Sequence, residues 1–436
     1  MPTLRVLRFA LAFLGISVLG TIAASCGQAS ADEGTVITFA GSALGAEGAL
    51  LQRQIDRFMR ANPGIRVRIQ RTPDDATQRH QLFVQWLNAR AGDPDVLQLD
   101  VVWTAEFAAA EWIAPLSRWK PNPAEFFPAT VAANTWAGQL YAIPWFMDVG
   151  MLYWRTDLMP RAPTSLAELA SIAKAARAKA GGPRDGFVWQ GARYEGLVTG
   201  FLEILVANGG HILTDDGRVV VDSPEAVRAL TFMRDLVTAG ASPSEVLTWH
   251  EEETRFAFQN GNAAFMRNWP YAFTLMNTPR DSRVASKFSV APMPGAPGGT
   301  SAATLGGAPL AINAYSDHPD ASWALIAFLT APEQMLERAQ LGGYPTRPAV
   351  YDDPRLANLL PIPVAAARDI VARSVARPAT PIYSQLSELL QIQLHRSLTG
   401  QVAPGEALRE AARQMNALIE RTRVREVLAR GRRPAS

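Results

Sequence analysis

The sequence places a carboxylate and an indole close together after a short apolar segment. Asp100 follows residues 96–99 and precedes Trp103 by three positions. Carboxylates accept hydrogen bonds from hydroxyl groups, and an indole face can cover the C–H side of a sugar ring. The pair is therefore a candidate site for a polyhydroxylated ligand. The alternative is that Asp100 only caps a helix that begins near Thr104.

A second candidate is Asp148, an isolated acid within an apolar extended run. The five residues before it, 143–147, are Ile-Pro-Trp-Phe-Met. A buried carboxylate needs a partner, which either ligand hydroxyls or an arginine can supply. The sequence leaves open both interpretations of Asp148, a ligand contact and a structural ion pair.

Two amphipathic aromatic residues follow the extended segment 263–267. They are Trp269 and Tyr271, in the run Asn-Trp-Pro-Tyr. The chain has 11 Trp, and a tryptophan more often packs in a core or on a surface than under a ligand. Trp269 is therefore a candidate stacking platform only in the company of polar ligand-binding groups.

Other kinds of chemistry lack their residue patterns. Neither Lys-Ser/Thr nor a third glycine follows the turn at 304–307, so no nucleotide site is predicted. The five histidines neither pair at i, i+4 nor cluster with carboxylates, so no metal site is predicted. The sequence has no Gly-x-Ser-x-Gly elbow, which disfavours a serine hydrolase. We expect no cofactor and no catalytic residue.

An alternation of strands and helices must position the candidate residues. Residues 35–40, 65–69 and 96–99 have strand patterns, and 51–59 and 77–91 carry apolar side chains at helical spacing. Strand, helix, strand, helix, strand predicts a largely parallel sheet. Ligands of open sheets bind outside the carboxyl ends of the strands, which is where the first candidate acid lies.

Length and charge limit the architecture and the partners. About 411 of the 436 residues remain after the N-terminal segment, which is too long for one hydrophobic core and predicts two α/β lobes. The formal net charge is +2, and it falls to zero without Arg5 and Arg8 of that segment. The chain therefore has no positive field to attract nucleic acid.

The N-terminus predicts export. Arg5 and Arg8 precede an apolar run of about 16 residues, which is shorter than the roughly 20 that a membrane-spanning helix needs. Small residues follow directly before Cys26. Residues 1–25 are therefore predicted to be a signal peptide, with a permanent transmembrane anchor as the alternative.

Cys26 is the only cysteine in the chain, which excludes an intrachain disulfide and a cysteine-rich zinc site. Its position resembles the lipobox of bacterial lipoproteins, although Ala23 stands where the usual motif has Leu. The resemblance implies that Cys26 is acylated. Residues 26–34 would then form the lipidated cysteine and a small, polar, flexible tether.

Several short sequence blocks, in a fixed order along nearly the whole mature chain, match the pattern of one known protein family. The blocks are 93–96 (DPDV), 99–103 (LDVVW), 186–191 (GFVWQG), 194–198 (YEGLV), 258–265 (FQNGNAAF), 268–271 (NWPY), 303–307 (ATLGG), 377–381 (RPATP) and 385–388 (QLSE). Together they resemble the extracellular solute-binding proteins of the maltose-binding class. The resemblance is strongest to the trehalose/maltose-binding proteins.

The resemblance implies a two-lobed α/β periplasmic-binding-protein fold of class II, in which the ligand cleft lies between the lobes and three crossovers form the hinge. The N-terminal lobe would contain residues 35–143 and 312–365. The C-terminal lobe would contain 150–304 and 374–436. The hinge segments would be 144–149, 305–311 and 366–373.

The resemblance also implies which residues contact the ligand. They are Glu47, Arg79, Asp100, Phe146, Asp148, Glu251, Trp269, Tyr271, Gly307 and Arg377. The charged residues would contact hydroxyl groups, Trp269 and Tyr271 would form a stacking floor, and Gly307 would let the backbone approach the sugar ring.

Two positions depart from the family pattern. Phe146 stands where some relatives have Tyr, which removes one hydroxyl hydrogen bond. Ala308 stands where the maltose-accepting relatives carry Trp, which removes one stacking face. We therefore expect selectivity for a compact disaccharide such as trehalose over linear oligosaccharides.

The function implied by the resemblance is capture of an α-linked disaccharide, trehalose or maltose-like, as the substrate-binding component of an ABC importer. The protein would be a lipid-anchored monomer outside the cytoplasm that delivers sugar to permease subunits and their ATPase. It would not be an enzyme. The alternative is an exported glycoside hydrolase, with a paired acid and nucleophile among Glu47, Asp100, Asp148 and Glu251.

Overall fold

The computed structural model describes residues 34–42, 47–214, 216–296, 301–360, 362–372 and 374–422. The predicted signal peptide, Cys26 and the predicted tether up to residue 33 lie outside these ranges. No helix among the described residues combines the length and apolar character that crossing a membrane requires.

The strands are short and separated mainly by helices. In chain order they are β1 (Thr35–Gly41), β2 (Ile65–Arg71), β3 (Val96–Gln98), β4 (Thr135–Trp136), β5 (Gln139–Leu140), β6 (Ala142–Val149), β7 (Met151–Arg155), β8 (Asp185–Val188), β9 (Ala263–Asn268), β10 (Phe288–Pro292), β11 (Ala303–Ile312), β12 (Tyr344–Pro345) and β13 (Ser374–Val375).

The helices follow the apolar periodicity and the capping residues of the sequence. In chain order they are α1 (Glu47–Ala61), α2 (Ala76–Asn88), α3 (Thr104–Ala109), α4 (Pro128–Ala133), α5 (Leu166–Ala178), α6 (Glu195–Ala207), α7 (Pro224–Thr238), α8 (Glu251–Gln259), α9 (Tyr271–Met276), α10 (Pro319–Leu329), α11 (Pro332–Ala339), α12 (Val364–Ala372), α13 (Tyr383–Leu398) and α14 (Pro404–Thr422).

The first sheet has the strand order β12-β6-β11-β3-β1-β2, and β13 pairs with the start of β11. Strand β1 is parallel to β2 and β3, as predicted. However, β11 is antiparallel to β3 and β6, and β12 is antiparallel to β6. The prediction of a largely parallel sheet is therefore wrong for this half. A single helical crossover makes neighbouring strands parallel, but β11 returns to this sheet from the second one, so no such crossover sets its direction.

The second sheet has the order β10-β7-β9-β8. Helices α5 and α8 pack on it, while α6, α7, α13 and α14 pack on one another beside it. Helices α1 and α10 pack on the first sheet. We call the first sheet with its helices the first lobe, and the second sheet with its helices the second lobe. The fold is thus a two-lobed α/β architecture.

One residue, Gly150, separates β6 of the first lobe from β7 of the second. A side chain at this position would overlap the buried carboxylate of Glu203. The Glu203 carboxylate also accepts a hydrogen bond from the Thr304 amide, 3.2 Å away, at the start of β11. The chain therefore passes between the lobes twice beside the same buried acid.

Candidate functional site

A cavity opens between the two lobes, with a volume of about 790 Å³ that includes solvent at its mouth. All ten residues that the sequence suggested as ligand contacts line this cavity: Glu47, Arg79, Asp100, Phe146, Asp148, Glu251, Trp269, Tyr271, Gly307 and Arg377. They come from helix starts, strand ends and the strands β6 and β11. Both lobes therefore contribute side chains to one site.

Asp148 is the second-last residue of β6, beside Gly306 of β11. No described residue hydrogen-bonds or ion-pairs with its carboxylate. Burial raises the pKa of Asp148 to about 8, and the nearby charge of Glu47 adds to this effect. The interpretation of Asp148 as half of a structural ion pair is therefore wrong, and its carboxyl group is free for a ligand.

Glu47 is the first residue of α1, and burial raises its pKa as well. The nearest cation is Arg338 of α11, whose Nη1 lies 3.8 Å from Glu47 Oε1. The Arg338 side chain is only 2 % exposed, and its guanidinium lies 3.8 Å from the Trp145 ring centre and 4.8 Å from that of Phe146. Sequence reasoning missed this buried cation, which lies behind Glu47 and Phe146 of the cavity lining.

Asp100 is part of an ion-pair network that joins the lobes. Arg377 Nη2 donates to Asp100 Oδ1 at 2.6 Å, and Arg377 Nη1 donates to Glu195 Oε1 at 2.8 Å. The Arg377 side chain is 2 % exposed, and its two carboxylate partners raise its pKa despite burial. Asp100 does not cap α3, because Trp103 directly precedes that helix. The helix-cap alternative is therefore wrong.

Glu195 also accepts hydrogen bonds from the second lobe. Tyr383 Oη donates to Glu195 Oε1 at 2.6 Å, and Ser387 Oγ donates to Oε2. We call the set of Asp100, Arg377, Glu195, Tyr383 and Ser387 the Arg377 network. It leaves Arg377 less free to contact a ligand than the sequence suggested.

Arg79 of α2 points its guanidinium at the loop before the helix. Nη1 donates to the backbone oxygens of Pro73 and Asp74 at 2.9 and 3.0 Å. The guanidinium carbon lies 5.3 Å from the centre of the Trp103 ring, and burial lowers the Arg79 pKa. Trp103 is thus covered by Arg79 and is not an open stacking surface.

Trp269 is held in one orientation from two sides. Its Nε1 donates to Glu251 Oε1 at 3.2 Å, and the guanidinium of Arg267 lies 4.0 Å from its ring centre. Arg267 is in turn anchored by Glu203 through bonds of 2.6 and 3.1 Å. The ring also lines the cavity. Because Arg267 covers one face, the opposite face is the one available for stacking.

Tyr271 begins α9, two residues after Trp269, and its hydroxyl donates to Glu252 Oε1 at 2.7 Å. Burial raises the pKa of Tyr271 well above its usual value, so the phenol stays neutral. With its hydroxyl occupied by a carboxylate, Tyr271 offers the cavity mainly its ring.

Two neighbouring positions in β11 require glycine, each for a different physical reason. Gly307 has φ of +112°, and a Cβ there would overlap the Phe146 carbonyl oxygen. A Cβ at Gly306 would lie 3.2 Å from the Trp269 ring. Gly307 is therefore required by its own backbone, whereas Gly306 makes room for the stacking residue.

Further polar residues line the cavity beyond the predicted ten: Ser42, Asp74, Gln98, Tyr194, Glu195 and Thr199. Of these, Glu195 could have been predicted, as could the buried Glu203 outside the lining, since each is an acid within the mostly apolar helix α6. Nothing in the local sequence distinguishes the others. The lining thus combines many hydrogen-bonding groups with aromatic rings, which suits a neutral ligand rich in hydroxyl groups.

Comparison with known proteins agrees with this geometry. Residues 42–336 match the family of bacterial extracellular solute-binding proteins. A probable ABC transporter-binding protein of Deinococcus radiodurans is 36 % identical over 92 % of this chain and 97 % of its own.

Two solved structures are similar to the chain. Maltose-bound MalE3 of T. maritima is 42 % identical, with a TM-score of 0.84 over 88 % of this chain and all of that one. The GacH receptor of Streptomyces glaucescens, solved unliganded and with acarbose, is 25 % identical. Its TM-score is 0.78, over 89 % of this chain and 99 % of the receptor. These matches confirm the predicted two-lobed periplasmic-binding-protein fold.

The hydrolase alternative gains no support from these relatives, which are binding proteins. The family match covers more than half of the chain, and the Deinococcus relative aligns along nearly its full length. The chain therefore belongs to the bacterial extracellular solute-binding proteins and is not an enzyme.

Proposed function

We propose that this protein is the substrate-binding component of an ABC sugar importer and captures an α-linked disaccharide, trehalose or maltose-like. The observation that carries the proposal is the position of Trp269, held by Arg267 and Glu251 with one face towards a cavity lined by acids. Stacking on C–H faces and hydrogen bonds from hydroxyls to carboxylates are the two contacts that a sugar needs.

The roles of the individual residues follow from their contacts. Asp148 and Glu47 offer carboxyl oxygens that no described hydrogen bond occupies, so they would accept ligand hydroxyls. Trp269 and the ring of Tyr271 would form the floor. Arg377 would act mainly by orienting Asp100 and Glu195. The ligands of the two solved relatives, maltose and acarbose, have the same mixture of ring faces and hydroxyls.

Closure of the lobes would enclose the sugar. We assign residues 35–143 with 312–365 to one moving body and 150–304 with 374–436 to the other. The hinge segments would be 144–149, 305–311 and 366–373. Gly150 and the start of β11 support the first two assignments, because both backbone segments pass beside Glu203. The third falls on helix α12.

We assign the protein to the outside of the cytoplasmic membrane, as its family predicts. Acylation of Cys26 would tether it there through residues 26–34. As a monomer it would meet permease subunits, and their ATPase would drive transport.

Trp269→Ala is the variant that tests sugar capture. We expect maltose or trehalose to raise the melting temperature of the native protein, because a ligand that binds only the folded state stabilises it. We expect Trp269→Ala to weaken binding about ten- to hundredfold in calorimetry, through loss of the stacking face.

Trp323→Ala is the matched control. Trp323 is half-buried like Trp269 but stacks on Trp119 at 5.7 Å, away from the cavity lining. Its loss should change stability without changing affinity. Equal affinities of native protein and Trp269→Ala would contradict the assignment of the stacking floor, and release of glucose from either sugar would overturn the binding function.

The choice of sugar is a separate prediction. Ala308 lines the cavity with a methyl group and so supplies no second aromatic face for a longer chain. We expect trehalose to bind at least about tenfold more tightly than maltotriose, measured by calorimetry on the same protein. Comparable affinities for the two sugars would contradict this selectivity.

A further inference from the structure

The N-terminal ends of two helices, one from each lobe, meet beside the cavity. Asp75 directly precedes α2 of the first lobe, and His250 directly precedes α8 of the second. His250 Nε2 lies 3.2 Å from Asp75 Oδ2. The other oxygen, Oδ1, accepts a hydrogen bond from the Gln78 amide at 2.9 Å. One carboxylate thus caps a helix of one lobe and binds an imidazole of the other.

His250 is tied to the stacking platform of the site. Its backbone N–H donates to Glu253 Oε2 at 2.9 Å, and its ring packs against Tyr194 with centres 4.3 Å apart. The next residue, Glu251, accepts from the Trp269 indole. His250 is therefore joined by one peptide bond to Glu251, which holds the stacking residue Trp269.

We propose that the His250–Asp75 pair is a closing contact between the lobes that tightens sugar binding when His250 is protonated. Measuring the effect through sugar affinity rests on the proposed function. The contact itself requires only that the lobes move apart and together. Because the pair joins the two lobes, it forms on closure and breaks on opening.

The charges around His250 determine the sign of the effect. Hydrogen bonding to Asp75 raises the pKa of His250, burial opposes this, and Glu251 and Glu253 of α8 raise it further. Two other titratable side chains lie close by among the described residues: Tyr194 stays neutral because burial raises its pKa, and Arg79 of α2 interacts with the charges of Asp75 and Glu251. Opening removes Asp75 but keeps both α8 carboxylates. The closed state therefore holds the His250 proton more tightly than the open state, so closure is favoured as the pH falls.

The test compares sugar affinity at pH 5.5, 7.0 and 8.5 in the native protein and two variants, His250→Gln and Asp75→Asn. Asn is as good an N-cap as Asp, so Asp75→Asn keeps α2 capped. We expect the native protein to bind maltose or trehalose about three- to tenfold more tightly than either variant at pH 5.5. The ratio should fall towards one at pH 8.5, and the double variant should lose no more than the single ones.

His318→Gln is the matched control, since His318 is an exposed histidine that directly precedes α10, away from the cavity. It should keep the native pH profile. A ratio of native to His250→Gln affinity that does not change with pH would overturn the proposal. A loss of sugar affinity in the double variant that equals the sum of the losses in the two single variants would also overturn it.

A second measurement does not depend on sugar. Small-angle X-ray scattering of the sugar-free native protein should give a smaller radius of gyration at pH 5.5 than at 8.5, and His250→Gln should remove this difference. If no sugar binds but the pH-dependent compaction appears, the closing contact stands and the proposed function fails. If the scattering of the native protein and His250→Gln agree at both pH values, the closing contact is overturned.

Discussion

Arg377→Met is expected to lower the free energy of unfolding by about 3–5 kcal/mol, because it leaves two buried carboxylates without their shared cation. The side chains of Asp100 and Glu195 are only 14 % and 11 % exposed, so water cannot replace the guanidinium well. Denaturant titration by circular dichroism measures the loss. The same variant should also weaken sugar binding, since Asp100 and Glu195 come from different lobes and both line the cavity.

Arg355→Met is the matched control for this experiment. Arg355 also bonds two carboxylates, those of Asp353 and Glu333, at 2.8 and 3.0 Å. Its side chain is 58 % exposed, so solvent screens both pairs. We therefore expect a much smaller loss of stability than for Arg377→Met. Equal losses in the two variants would mean that burial does not strengthen the Arg377 network.

Asp148→Asn should weaken sugar binding and yet stabilise the sugar-free protein in alkaline solution. At pH 9, where the folded carboxyl group is ionised, the amide presents one acceptor oxygen instead of two, so we expect at least about a tenfold loss of affinity at that pH. The carboxyl group has a pKa of about 8 when folded, against an ordinary value of 3.8. Between about pH 4 and pH 8 the folded state therefore holds a proton that the unfolded chain releases.

It follows that Asp148 makes the native protein less stable as the pH rises through this window, and the loss is complete above pH 8. Asp148→Asn removes that loss, so its free energy of unfolding should exceed that of the native protein by on the order of 6 kcal/mol at pH 9 and match it near pH 4. Melting temperatures at the two pH values measure the difference.

Asp157→Asn is a control variant whose stability should depend on pH in the opposite direction. Arg155 donates to Asp157 at 2.6 Å and lowers the pKa of that carboxyl. Removing the Asp157 charge should therefore destabilise the protein at neutral and alkaline pH, with the difference fading in acid. A stability gain of Asp148→Asn that is the same at pH 4 and pH 9 would show that the gain has another cause than titration of this carboxyl.

Three of the candidate residues were predicted from recognisable positions in local elements, and the family resemblance supplied most of the others. Asp100 follows a strand, Asp148 interrupts an apolar run, and Trp269 follows another strand. Such positions converge at the edge of an α/β sheet. Local patterns also account for helix starts in the structure, for example at Ser223 and Pro224 before α7, where the Ser223 hydroxyl accepts from the Ala226 amide.

The sequence could not predict contacts between residues far apart in the chain. Arg377 meets Asp100 and Glu195 only after both lobes have folded, and no local periodicity encodes that meeting. Tertiary packing also leaves the Asp148 carboxylate without a hydrogen-bond or ion-pair partner among the described residues, and it buries Arg338 beside Glu47 and Trp145. The antiparallel direction of β11 was missed for the same reason, since its neighbours are not its neighbours in sequence.

The position of β11 also has a consequence for biogenesis. This strand lies between β3 and β6 in the first sheet, yet it follows every strand of the second sheet in the chain. A nascent polypeptide that lacks β11 cannot join the two halves of that sheet, so its first lobe stays incomplete until most of the chain has been synthesised. Late completion would suit the export that we propose for this protein, because a chain that folds late is easier to move across a membrane before it folds.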